Sequence, residues 1–280
     1  MGVQIRSSVV LPNLPTLIVC LFSIDLPRIT FQGGCVVGKQ ILVLAKSWKE
    51  GGFCIAGPEV ICRSDGTRSL SANWVRPVHP KNDGQMTGPI STVFCNQVSV
   101  LDIIRLDEPE HVPSQVQPEN WRVAVRPFSR ESRFTRIELL HSLAKRSGSI
   151  WSDSQTARDD QVSAATAEAS GRSLMLVAPE NLVFSLRLQE CQYGLKQRIS
   201  VSFTHEGRYY TGIPVTDPAV CRVYKNQFPR TPGQVLECAL HNGDRYWLTL
   251  SLSPRWKDGN HYILAAAVVD YTGYLNRTYG

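Results

Sequence analysis

Lys46, Ser47 and Lys49 place two ammonium groups and a hydroxyl within four residues of one another, and Trp48 lies between them. They follow Ile41-Leu42-Val43-Leu44-Ala45 and precede Gly51-Gly52-Phe53-Cys54-Ile55-Ala56-Gly57. A short apolar run ending in a glycine pair reads as a strand entering a turn. Cations and a hydroxyl beside a permissive backbone suit an anion such as a phosphate. An ordinary solvated hairpin loop with two lysines accounts for the same residues.

Further cations and aromatics recur in the same style. Trp74 and Arg76 sit in Asn73-Trp74-Val75-Arg76-Pro77-Val78, and Arg208, Tyr209, Tyr210, Trp247 and Lys257 lie in the last third of the chain. Small β-barrels hold single strands in this way, stacking bases on exposed rings and meeting phosphates with cations. Tyr209 and Tyr210 are adjacent, so in a strand one faces the core and the other faces out. Trp247 is on the opposite face from Leu248 and Leu250, hence outside the barrel or under another element. Core packing explains any one of these rings; the inference rests on the set.

Motifs for catalysis are missing. The sequence has no Gly-x-Ser-x-Gly elbow, no His-x-x-x-His pair and no Gly-Lys-Ser/Thr phosphate loop. The six histidines are scattered, and none of the eight cysteines forms a Cys-x-x-Cys pair, so neither zinc nor a disulfide scaffold is expected. No cofactor is expected. Asp107-Glu108-Pro109-Glu110 reads as a solvated acidic turn rather than a metal site. Mostly apolar neighbours suggest small buried thiols in a reducing cytoplasm. A formal charge of +6 permits a polyanionic partner without demanding one.

The elements that must position these residues are mainly strands. Leu182, Phe184, Leu186 and Leu188 alternate with polar or smaller residues; so do Ile199, Val201 and Phe203, and Tyr246, Leu248, Leu250 and Leu252. Period-two alternation in successive segments predicts a sheet with one buried face. Residues 261–270 are apolar on both faces, as in a strand covered on both sides. Apolar residues spaced by three at Phe134, Ile137, Leu140 and Leu143 predict an amphipathic helix over 130–146, flanked by five basic residues. Thr216-Asp217-Pro218 predicts the capped start of a short helix. Residues 152–170 read as a loop or a weakly packed helix. Residues 1–36 differ from the rest: prolines break up their apolar runs, none long enough to span a bilayer. They are expected to be translated from upstream of the true start, Val37 being a residue that an alternative start codon can encode; a real N-terminal extension or a membrane-proximal segment is the alternative.

The Leu-Ala-Lys-Ser strand end, the Gly-Gly-Phe-Cys-Ile-Ala-Gly turn and Trp-Val-Arg-Pro-Val together resemble the prokaryotic dual OB domain family. Glu119-Asn120-Trp121, Thr216-Asp217-Pro218, residues 247–252 and residues 261–267 extend the likeness over about 38–270. The resemblance implies a mainly β protein with minor α content: two OB-like β-barrels in tandem, over 37–125 and 174–275, joined by a helical, polar connector at 126–173. It also implies a nucleic-acid-binding role, in a setting of bacterial defence or genome maintenance; together with the missing catalytic motifs, the cysteine pattern and the aromatic–cation set, the expectation is a cytoplasmic, non-enzymatic protein that binds single-stranded DNA or RNA. An enzyme acting on a nucleotide or nucleic acid between the barrels, or an adaptor with a protein partner, remain the alternatives. No membrane association is expected.

Overall fold

Two five-stranded paths of the same order run one after the other along the chain. The computed structural model describes residues 38–49, 52–78, 97–124, 126–151, 156, 158–192, 194–239, 246–270 and 275, except the Lys49 side chain; the readings made for residues 1–36 and for Lys49's ammonium lie outside these. The described residues belong to one compact unit.

The first path opens with β1 (Lys39–Leu42) and β2 (Ala45–Lys49), two legs of a strand bent at Val43–Leu44. β3 (Gly52–Cys62) turns back against both, and β4 (Arg68–Val78) pairs antiparallel with β3. Gly57 sits at the bend. A Cβ there would lie 1.6 Å from the Leu42 carbonyl oxygen, so no other residue fits. β5 (Asp102–Leu106) pairs with β1, and β7 (Asn120–Arg122) runs parallel to β4. This parallel ladder joins Arg76 to Asn120 and Pro77 to Trp121, bringing together two segments that were separate in the sequence. A two-residue strand, β6 (Glu110–His111), lies against β7. Ile41, Val43, Phe53, Ile55, Val75, Ile104 and Leu106 fill the interior.

The second path repeats this order. β10 (Leu174–Val177) and β11 (Glu180–Cys191) are again two legs of one bent strand. β12 (Gly194–His205) and β13 (Arg208–Pro214) follow as antiparallel neighbours. β15 (Tyr246–Leu252) pairs with β10, and β16 (His261–Asp270) with β15. One parallel bridge, Val215 to Ala265, joins the end of β13 to β16 and completes the circuit. It is a partly open Greek-key barrel: the closing side is a single bridge rather than a ladder. In the first path, the fourth and fifth strands, β5 and β7, do not pair among the described residues. β14 (Val235–Ala239) is an addition on the outer side of β11. The interior holds Leu182, Phe184, Leu186, Val201, Phe203, Leu248 and Leu250, the alternating residues of the sequence pattern.

The barrels pack through their outer faces. Leu42 and Leu44 meet Leu176, Trp247, Ala267 and Val269, and Ala45 and Ala56 meet Leu174 and Ala266. Small alanines let the two sheets approach closely, and Thr249 Oγ1 donates to the Leu44 carbonyl across the contact at 2.5 Å. This contact explains the doubly apolar pattern of β16: one face lines its own barrel, the other the neighbour.

The connector departs from the periodic reading. Residues 129–133 are not helical but form β8 (Ser129–Arg133), paired with β5; only α1 (Glu138–Arg146) is a helix. The exposed edge of β5 offers ladder hydrogen bonds that a period-three stripe on the sequence cannot reveal. α1 buries Leu140, Leu143 and Ala144 against the contact between barrels. β9 (Gln161–Val162) adds to the edge of β16, and α2 (Ala164–Ser170), capped by Ser163, buries Ala167. α3 (Pro218–Val223) starts as the sequence implies. Asp217 Oδ1 accepts from the Ala219 and Val220 amides, and Oδ2 from the Val268 amide at 2.7 Å. The buried carboxylate thus ties α3 to β16, a structural role. Among the described residues, no helix is long and apolar enough to cross a membrane.

Candidate nucleic-acid interface

A groove of about 1460 Å³ runs along the second barrel's outer face, over β12 and β13 and the loop between β15 and β16. In barrels of this topology, the face of the second and third strands and the loop between the fourth and fifth are where oligomers bind. The first barrel supplies the far wall through Ser47, Trp48 and Cys54. Among the described residues, six cations line the groove (Arg76, Arg158, Arg187, Arg198, Arg255 and Lys257) against two carboxylates, Asp160 and Asp258.

Arg187 and Arg198 are directly opposed partners on β11 and β12, and the residue facing Arg187 from β14 is Val235. Like charges directly opposite one another destabilise a sheet. A bound anion relieves that repulsion. Arg198 hydrogen-bonds Gln189, an uncharged partner. Arg158 differs: it forks onto Asp160 at 2.8 and 2.6 Å, and its charge is already answered.

The loop at 253–260 is pre-shaped. The Trp256 amide donates to Asn260, the Gly259 amide to Trp256 and Arg255 Nε to Gly259, all carbonyls at 2.9–3.0 Å. Gly259 takes φ +85°, which favours glycine. The Tyr262 hydroxyl donates to Asp258 Oδ2 at 2.5 Å. That bond holds the Asp258 carboxyl below its usual range and pushes the Tyr262 phenol up. Trp256 stands on this frame 61% exposed, edge-on to Tyr262. Across the groove, Trp48 is 50% exposed and edge-on to Phe53 at 4.8 Å, and its amide donates to the Thr216 carbonyl of the second barrel at 2.9 Å.

Of the residues singled out from the sequence, Ser47, Trp48, Arg76 and Lys257 come together in this groove. The others do not. Lys46 is 3% exposed; its ammonium donates to the Val98 carbonyl at 2.7 Å and lies over Phe53, so it faces inward rather than towards an anion. Trp247 is 2% exposed because the neighbouring barrel covers it. Tyr210 is the inward member of its pair, stacked on Phe203, and Tyr209 the outward one. Arg208 and Tyr209 are exposed at the start of β13, away from the groove-lining Gly212 and Pro214, and Arg208 faces Asp159. Trp74 is half-buried and lines a different cavity. Lys49 ends β2 opposite Gly52.

Arg76 sits in the groove floor, 5% exposed. It donates to Ser173 Oγ at 3.0 Å and Ser251 Oγ at 3.4 Å, and pairs with Glu119 at 3.6 Å. Among the described residues, its Nη1 has no hydrogen-bond partner. Sequence reasoning missed Arg158, Arg187, Arg198, Arg255 and Trp256. Arg255-Trp256-Lys257 before Asp258-Gly259 is a basic, aromatic turn and was legible; the opposition of Arg187 and Arg198 needs the register of β11 and β12.

Two like-ordered Greek-key barrels with a basic, aromatic groove on the binding face of one define a tandem OB-type protein, a fold that takes oligonucleotides and oligosaccharides. The family model described as "dual OB-containing domain" matches residues 39–268, and the chain belongs to that family. Comparisons with curated proteins and with solved structures found no match. Among the described residues, no group of three or more His, Cys, Asp or Glu side chains is placed to hold a metal ion.

Proposed function

We propose that this protein binds single-stranded nucleic acid in the groove between β2 of the first barrel and the β12–β13 face of the second. The observation that carries the reading is the coincidence of three features in one place: the binding face of an OB-type barrel, an excess of cations over carboxylates, and two tryptophans at least half exposed. Arg187, Arg198, Arg255 and Lys257 meet phosphates, and Trp48 and Trp256 stack on bases, which needs unpaired bases with free faces. Backbone charge and stacking are tolerant of sequence, so broad specificity is expected.

The test is a comparison of ligands by fluorescence anisotropy: labelled oligo-dT and oligo-rU, duplex DNA, and neutral and sulfated oligosaccharides of similar length. Single strands are expected to bind, duplex more weakly and neutral sugars not at all. Binding of an oligosaccharide without binding of either single strand would overturn the proposal and assign the groove to the other ligand class of this fold.

A further inference from the structure

Among the described residues, the two carboxylates in the groove are both engaged at the base of one loop, 253–260. A carboxylate beside a phosphate path opposes binding, so its presence there calls for another role. Asp160 takes both guanidinium bonds of Arg158, and its carbonyl accepts from the Ile263 amide at 2.7 Å. Asp258 accepts from the Asn260 amide on Oδ1 at 3.1 Å and from the Tyr262 hydroxyl on Oδ2 at 2.5 Å.

Tyr262 is the point where these supports meet. At the base of the loop the Ser253 amide donates to the Tyr262 carbonyl at 2.8 Å, and the Tyr262 amide to Ser253 Oγ at 2.9 Å. The half-buried side chain then reaches into the loop. Its ring is edge-on to Trp256 with centroids 6.1 Å apart, and the Arg158 guanidinium lies 5.9 Å from the ring centre. Gln161 is directly opposite Tyr262 in the β9–β16 ladder and donates from Nε2 to the hydroxyl at 3.0 Å. The hydroxyl therefore accepts from β9 and donates to the loop, which fixes the ring from both sides. β9 belongs to the connector, so the brace comes from outside the barrel's own strands. A tryptophan on a loose loop gives up conformational freedom when it stacks, which weakens binding; one already held gives up less.

We infer that Tyr262 and Asp258 are positioning residues of the groove: with Gln161 behind them, they hold the 253–260 loop so that Trp256 is oriented for stacking before a strand arrives. The inference rests on the reading of the groove as a single-strand site. It gives the connector strand β9 and an acidic residue of the groove a part in binding, through Trp256 rather than through the ligand.

The experiment uses the full chain and two readouts: anisotropy of labelled oligo-dT, and NMR relaxation of the Trp256 indole N–H, identified by its loss in Trp256→Ala. Tyr262→Phe keeps the ring and removes the hydroxyl. It is expected to increase the fast motion of the indole and to weaken oligo-dT binding about fivefold. In the Trp256→Ala background the same change is expected to alter affinity by less than about twofold, because the ring it positions is gone. Asp258→Asn keeps an oxygen that accepts from Tyr262, and is expected to retain a rigid indole and wild-type affinity or better. Asp258→Ala is expected to loosen the indole and weaken binding. Tighter binding by Asp258→Ala would make the carboxylate a repelling charge and overturn the inference. So would an unchanged indole in Tyr262→Phe, or an equal loss of affinity in both backgrounds, which would give Tyr262 a general structural role. Absence of oligo-dT binding by the wild-type protein would overturn the groove reading itself, and this inference with it.

Discussion

Replacing Arg187 and Arg198 together by alanine isolates the electrostatic part of groove binding. Among the described residues, six cations line the groove; Arg76 is paired with Glu119 and Arg158 with Asp160, which leaves four outside these ion pairs. Each phosphate neutralised on a single strand contributes about 0.7 to the slope of log affinity against log salt, so four contacts give a slope of about −2.8. Between 50 and 200 mM salt, that slope corresponds to a loss of roughly 50-fold. Without the arginine pair the slope falls to about −1.4, and the loss over the same range to roughly 7-fold. The substitution also removes a like-charge opposition from the sheet, so thermal stability is expected to hold or rise slightly. The assay is anisotropy of labelled oligo-dT across a salt series, with a thermal melt of each protein. Equal slopes for wild type and variant would refute the assignment of this pair to phosphates. A wild-type slope near zero would remove phosphate neutralisation from the mechanism altogether.

Other substitutions separate binding from folding. Arg76→Ala is expected to destabilise by about 3–5 kcal/mol in chemical denaturation, because it strands the buried Glu119 carboxylate; it is therefore a poor probe of binding. A change within 1 kcal/mol would show that the pair is dispensable. Trp48→Ala and Trp256→Ala should each weaken oligonucleotide binding by about 1–3 kcal/mol. The cost in stability should be small for these exposed rings, and equal affinity for both variants and wild type would exclude stacking. Gly57→Ala is expected to cost about 4 kcal/mol or more, since the added Cβ meets backbone at 1.6 Å; a normal circular dichroism melt would contradict the tight bend. Cys221 lies at an exposed position, yet desolvation by its near neighbours and the Asp217 carboxylate push its thiol up to about 11. The thiolate is the reactive form, so alkylation of Cys221 should be slow at pH 8 and keep accelerating to pH 10 and above. The same shift makes the folded state hold its proton more tightly than the unfolded chain does. Its contribution to stability is therefore complete below about pH 9 and is lost as pH rises towards 11. A rate that levels off by pH 9 would contradict it.

Much of the strand framework was legible because a sheet face imposes a period of two on the sequence. Leu182, Phe184 and Leu186 alternate for that reason, and the same rule separates Tyr209 from Tyr210. The cap formed by Asp217 was legible because its partners are two and three residues away. The doubly apolar pattern of residues 261–270 announced a covered strand, though not what covered it. The features legible along the chain are therefore local: alternation, caps, turns and the short motifs of a family.

Which of the candidate side chains are available depends on long-range packing. Lys46 and Trp48 are two residues apart in β2, yet one turns its ammonium inward to the Val98 carbonyl and the other stands exposed in the groove. Trp247 lost its candidacy to a neighbouring barrel that no local pattern identifies. Residues 129–133 became a strand because β5 presented an edge. Arg187 and Arg198, eleven positions apart, oppose each other only in the register of β11 and β12. The physical reason is common to all four. Burial and charge opposition depend on what lies across a sheet or an interface, and that neighbour is set by long-range packing rather than by the residues next in the chain.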